Sequence, residues 1–205
     1  VDFKTYYFEG LIKVPTEYVK QYVDQHIDEF ISKINNTLKT NYENYIEDNL
    51  IVNNIEIPIT ILKSIPNSEA YSSVDLNKGT DIYIDANNVK SLMNSKENFK
   101  KNLYTMLIHE ITHIIDKGAF KKPASARSFD DYSAYVNSDR EFPAFLNEYI
   151  HKIQNKIKTN TNYKEFLINA FKTGKSTKDR EIDKFIKSLN PENKIKFINN
   201  VLKSI

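Results

Sequence analysis

The pentapeptide His109-Glu110-Ile111-Thr112-His113 sets two imidazoles and a carboxylate at a spacing with a chemical use. In a helix, residues four apart lie on one face, so both rings can reach one metal ion. Glu110 stands roughly 100° round the helix from His109. It therefore points beside the ion and not at it, where a base must be to take a proton from water. Neutral imidazole nitrogen suits Zn²⁺, and a catalytic zinc takes three protein ligands and leaves one position for water. The motif supplies two ligands and a base. A third ligand has to come from elsewhere. Four histidines in 205 residues give this pattern little room to arise by chance. The alternative is a surface helix whose histidines happen to be four apart.

The elements that must position these groups are legible on both sides of the motif. The stretch 98–116 has no Gly or Pro, and Leu103, Leu107, Ile108, Ile111, Ile114 and Ile115 make a wide apolar face. A helix packed on that face, with the two histidines turned away from it, is the expected floor of a cleft. Asp116 lies three residues after His113 and seven after His109, so it shares their side. It can accept a proton from the far nitrogen of His113 and fix its tautomer. A solvated acid near the helix end is the plainer alternative. Gly118 is expected to terminate the helix, and 121–131, containing Pro123, to form a polar loop.

Upstream, 1–14 reads as a short strand or extended arm. Pro15-Thr16 opens a helix with Thr16 as its N-cap, and Val19, Val23, Ile27, Phe30, Ile34 and Leu38 recur at helical intervals. His26 lies beside that stripe as a core-edge residue. Tyr42, Tyr45 and Ile46 continue a less regular helical piece before Asn53-Asn54 turns the chain. From 55 to 65 the period changes: Ile57, Ile59 and Ile61 alternate with Pro58, Thr60 and Leu62 in a strand that has Pro58 at its start or on an edge. Pro66-Asn67-Ser68 ends it and Asn77-Lys78-Gly79 makes a turn. A second strand, 80–85, carries Ile82 and Ile84 on one face. The section 49–85 is thus a small sheet just ahead of the motif helix. An unpaired strand beside a cleft would hold an extended peptide by strand addition, while a simple hairpin over the core is the equal alternative.

A helix beginning near Ser138-Asp139, with Pro143 in its first turn, offers the third ligand. Phe142, Phe145, Leu146, Tyr149, Ile150 and Ile153 build its apolar side. Glu141, Glu148 and His151 are the candidates. Glu141 is preferred because its neighbour Ala144 is small enough to let two helices approach closely. An acid favoured in a first turn by the helix dipole is the alternative for Glu141, and a solvated carboxylate for Glu148. Tyr135 and Tyr132, just upstream, could donate to the oxyanion that forms when water attacks a peptide carbonyl. With thirteen tyrosines in the chain, packing is the usual role of any one of them.

The combination Leu107-Ile108-His109-Glu110-x-x-His113-x-x-Asp116, then a tyrosine, then Glu141-Phe142-x-Ala144 resembles the zincin catalytic domain of the anthrax-lethal-factor-like family, which includes bacterial Pro-Pro endopeptidases. The resemblance covers roughly 82–150. It implies a gluzincin-type zinc endopeptidase with His109, His113 and Glu141 as ligands, Glu110 as base and a nearby tyrosine assisting the transition state. The family's tyrosine precedes its glutamate by seven residues, whereas Tyr135 precedes Glu141 by six. The metzincin pattern is excluded, because its Gly and third His would fall at Asp116 and Ala119.

The rest of the composition narrows the class. Hydrophobic content of 40% and charged content of 27% are ordinary for a globular protein. A net charge of +2, with lysine far outnumbering arginine, does not point to nucleic acid. No apolar run approaches the length of a membrane span. The absence of cysteine excludes thiolate metal sites, a cysteine nucleophile and disulfides. The chain begins at Val1 and not at Met, as after removal of a leader, so export is expected, with the cytoplasm as the alternative. Beyond 158, helical pieces at 163–171, 178–189 and 191–205 are separated by Thr173-Gly174-Lys175 and Asn190-Pro191. Their lysine-rich faces read as solvated surface, or as a contact for an acidic partner.

The expectation is one α+β, zincin-like metallopeptidase domain: a helical part over 1–48, a catalytic core over 49–157 and C-terminal helices over 158–205. A small mixed sheet accompanies the active-site helix. Its cofactor is zinc and its partner a protein or peptide substrate. A catalytically idle zincin-fold binding module or toxin subunit, and a nucleic-acid-binding helical protein, are the rivals.

Overall fold

The computed structural model describes residues 14–65, 70–75, 79–116 and 132–205. The chain is α+β and divides into two compact units, Lys13–Lys117 and a second formed by Val1–Ile12 with Gly118–Ile205. The expected core, 49–157, contributes residues to both.

In the first unit, α1 (Thr16–Thr40) buries Val19, Val23, Ile27, Phe30 and Ile34, the expected stripe. Thr16 is its first helical residue and not its cap. Pro15 holds the cap position without a side-chain bond, and the Thr16 hydroxyl is engaged by Tyr104 instead. The helix stops at Asn41, whose φ of 64° puts it in the left-handed region that asparagine tolerates. The expected helical continuation through Tyr42, Tyr45 and Ile46 is therefore absent. Asn44–Tyr45 is strand β1, paired antiparallel with β4.

Strands β2 (Leu50–Val52) and β3 (Ile55–Ile57) form a hairpin closed by Asn53 and Asn54, at φ 51° and 63°. Two positive-φ residues make the turn whose twist matches the strands. The single strand expected over 55–65 is two strands: the chain leaves the hairpin at Pro58 and re-forms as β4 (Ile59–Leu62) in another sheet. Proline has no N–H to give a ladder, but its carbonyl accepts from Ile82 N–H at 3.0 Å. Ile57, Ile59 and Ile61 are nonetheless all buried, and so is Thr60.

The four-stranded sheet has the order β1-β4-β6-β5, with β5 Ala70–Asp75 and β6 Gly79–Asp85. The pair β4–β6 is parallel and β5–β6 antiparallel, which makes the sheet mixed. Strand β5 was not foreseen from the sequence. Asp85 then caps the short α2 (Ala86–Lys90), accepting from Asn88 N–H at 2.8 Å. Helix α3 (Lys96–Ile115) starts at Ser95, whose Oγ accepts from Asn98 N–H at 3.2 Å. Helices α1 and α3 pack together, and α3 also packs against β5. Phe30, Phe99, Leu103 and Leu107 are fully buried among the isoleucines of the sheet.

The second unit's described part is helical: α4 (Tyr132–Val136), α5 (Phe142–Thr159), α6 (Tyr163–Thr173), α7 (Arg180–Ser188) and α8 (Pro191–Ser204). Its core centres on Leu146, Ile150, Phe185 and Phe197. Tyr149 stacks on Phe185 at 4.1 Å between centroids, and Phe197 meets Phe185 edge-on at 5.2 Å. The three expected C-terminal helices are present. Gly174 ends α6 at φ 67°, and Asn190 caps α8 ahead of Pro191. Helix α5 begins at Phe142, four residues later than Ser138. The Ser138 Oγ accepts from Glu141 N–H at 3.2 Å within the preceding turn, so it is not the helix cap. The expectations for 1–13, Pro66-Asn67-Ser68, Asn77-Lys78, Gly118 and 121–131 lie outside the described residues. No described helix is long and apolar enough to cross a membrane.

Candidate metal centre

Helix α3 carries the motif in its last two turns, and its cap and acidic first-turn Glu97 support the start of a helix whose business end lies at the other terminus. The apolar face expected of it is buried: Leu103, Leu107, Ile108, Ile111 and Ile114 are each at most 4% exposed. The histidine side of the helix, expected as the floor of a cleft, is itself largely enclosed. Glu110 and His113 are 7% and 5% exposed, Thr112 is buried too, and only His109 is half-buried. The helix is enclosed on more than one side because the sheet strand β5 packs against it as well as α1. Thr112 satisfies its buried hydroxyl by donating to the Ile108 carbonyl at 2.7 Å.

The two imidazoles turn the same nitrogen toward each other. His109 Nε2 and His113 Nε2 are 3.3 Å apart, with the rings edge-on at 78° and centroids at 4.9 Å. Two nitrogens each about 2.0–2.1 Å from a zinc ion, at the tetrahedral angle, lie roughly 3.3–3.4 Å apart. The donor set therefore fits one edge of a zinc tetrahedron. The metal-free alternative needs one ring to donate its Nε2 proton to the other. With Nε2 of His113 turned inward, Nδ1 is the nitrogen left for a supporting partner. Asp116, proposed for that role, caps the helix and donates its backbone N–H to the Thr112 carbonyl at 2.9 Å.

Glu110 stands between the two histidines in sequence. Among the described residues, no hydrogen bond or ion pair engages its carboxylate, although the residue is buried.

The remaining expected residues belong to the second unit. Glu141 is buried at the N-terminus of α5, with Arg140 Nε 3.9 Å from its Oε1. Ala144, three residues on, is fully buried. Glu148 pairs with Lys152 at 3.0 Å, and His151 is half-buried. Tyr135 packs edge-on against Phe145 at 5.6 Å. Tyr132 hydrogen-bonds Tyr149 and lies under the Lys184 ammonium at 5.0 Å; burial pushes its phenol above the ordinary range. His26 is at the core edge as expected, its Nδ1 3.2 Å from Glu29 Oε2 and its ring tilted 37° against Tyr22 at 4.5 Å between centroids.

Sequence reasoning missed the strand beside the motif helix. The run Ala70-Tyr71-Ser72-Ser73-Val74-Asp75 has too few β-branched or aromatic residues to announce itself. It is the end strand of its sheet, paired on one side with β6, and among the described residues no strand pairs with its other edge. No family model matches the chain, and no curated protein or solved structure matches it.

Proposed function

We propose that this protein is a zinc-dependent endopeptidase with a zincin-like catalytic fold. The observation that carries the reading is the Nε2–Nε2 separation of 3.3 Å beside a buried carboxylate on the same helical turn. His109 and His113 hold the ion through those nitrogens. Glu141, buried at the start of α5, is the third ligand. Bound zinc polarises a scissile carbonyl and lowers the pKa of water toward neutrality.

The chain's own groups do the rest. Glu110 takes the proton from the attacking water at its carboxylate and later passes it to the departing amine. Tyr135 or Tyr132 donates its phenol to the developing oxyanion. The edge of β5 that no described strand pairs with, beside α3, offers backbone N–H and C=O groups to an extended substrate, so that main-chain bonds align the peptide and side-chain pockets select it. Asp116 steadies the His113 ring through its outer nitrogen.

The test is metal analysis of the purified chain together with cleavage profiling on a diverse peptide library, with and without a chelator. About one equivalent of zinc per chain and chelator-sensitive cleavage are expected. Zinc bound without any cleavage, and without any effect of Glu110→Gln, would favour an idle binding module.

A further inference from the structure

Most basic side chains of α5 and α8 that lie near acids are paired with them. Lys152 meets Glu148 at 3.0 Å and Glu181 at 3.5 Å, Lys156 meets Asp179, and Lys196 meets Glu192 at 2.7 Å. The loop before α7, with α7 itself, is organised differently. Lys178, Arg180, Lys184 and Lys187 line a cleft of about 640 Å³ in this unit. Among the described residues, none of those four side chains has a carboxylate within ion-pair distance, and the nearest acid, Asp183, interacts with Lys187 one turn on without forming an ion pair.

The one acid in the cleft is already used by the chain. Asp183 Oδ1 accepts from the Thr177 N–H and the Thr177 hydroxyl, each at 2.8 Å, and its Oδ2 accepts from the Ser176 hydroxyl. Two of the cations are held by rings instead. Lys178 Nζ lies 4.8 Å above Phe166, and Lys184 Nζ lies 5.0 Å above Tyr132. A ring face attracts an ammonium without consuming its three donors, so the charge is positioned and still able to bind.

Spacing selects the ligand. Arg180, Lys184 and Lys187 follow i, i+4, i+7 along one face of α7, a line of about 10 Å. A lone phosphate needs cations converging on a point. Carboxylates on one face of an extended peptide instead recur about every 6.6–6.8 Å along a line. Three of the four cations are lysines, which suit single carboxylate oxygens, whereas arginine is the better fork for phosphate. Phe166 and Tyr132 are covered by ammonium groups, which leaves neither face toward that cation open for a base to stack. We propose that this cleft binds an acidic polypeptide segment in extended form, its carboxylates meeting Lys178, Arg180, Lys184 and Lys187. The proposal does not depend on peptidase activity.

The test is fluorescence anisotropy of the full chain with a labelled peptide of alternating glutamate and alanine, read in the Glu110→Gln background so that hydrolysis cannot consume the probe. Saturable binding is expected, weakening as salt rises from about 50 to about 200 mM. Lys184→Glu with Lys187→Glu should weaken it about tenfold, since two attractions become two repulsions. Lys184→Gln with Lys187→Gln should cost less, and reversal of the exposed Lys90 and Lys101 on the other unit should cost nothing. Equal loss in that control pair, or no saturation, overturns the proposal. Displacement of the peptide by a thymidine oligonucleotide or by inorganic phosphate at lower concentration also overturns it, and assigns the cleft to nucleic acid or to a small anion.

Discussion

Glu110→Gln separates a catalytic carboxylate from a structural one, because only the catalytic role predicts lost turnover at unchanged stability. The substitution keeps shape and volume but removes the charge and the ability to hold a proton. The residue is 7% exposed and no hydrogen bond or ion pair engages its carboxylate among the described residues, so the amide forfeits no bond that the carboxylate makes. An isosteric change that breaks no such bond should move stability by no more than about 0.5 kcal/mol. For a chain or unit of this size that is a shift of at most roughly 1–4 °C in melting temperature. Turnover should fall about 10²–10⁴-fold, the usual worth of a positioned general base, or about 3–5 kcal/mol in the barrier. Zinc content should be unchanged. Melting curves, metal analysis and a fluorogenic peptide assay measure stability, zinc content and turnover. A variant that melts well below the wild type, or that retains full turnover, refutes the reasoning.

Three further outcomes are expected. Glu141→Ala should lower zinc affinity at least about tenfold in a competition titration, while Glu148→Ala and His151→Ala leave it near wild type; equal affinity in Glu141→Ala removes it from the ligand set. Asn54→Gly should stabilise the protein by about 0.5–1 kcal/mol in urea titrations, since Asn54 already sits at φ 63° in a two-residue hairpin turn where glycine carries no steric penalty. Burial pushes the Tyr149 phenol, hydrogen-bonded to Tyr132, above the ordinary range. Its contribution to stability is whole below about pH 10, the unfolded value, and declines as pH climbs toward the raised folded one. Tyr149→Phe should flatten that alkaline decline, and an unchanged slope would assign it to other groups.

Much of the fold was legible because its periodicities are local. The stripe from Val19 to Ile34 could be read as one buried helical face without knowing what covers it, and so could the face from Leu103 to Ile114. Gly174 and Asn190-Pro191 marked helix ends by backbone preference alone. Pro58 was harder. The alternation of Ile57, Ile59 and Ile61 runs straight through it, yet the residues on its two sides pair in different sheets. Periodicity reports which face is buried, not which strand lies alongside. Strand β5 shows the same limit from the other side, since its place comes from pairing with β6 and not from its own weak β-forming composition.

By itself the sequence determined the spacing of two imidazoles and a carboxylate on one helix, since 3.6 residues per turn follows from the backbone whatever surrounds it. Only the tertiary structure decided that His113 and Glu110 would be enclosed, that the two rings would bring their Nε2 atoms to 3.3 Å, and that the end strand of a sheet would lie against their helix. Ring orientation and burial depend on side chains brought from distant parts of the chain, and no local pattern encodes them.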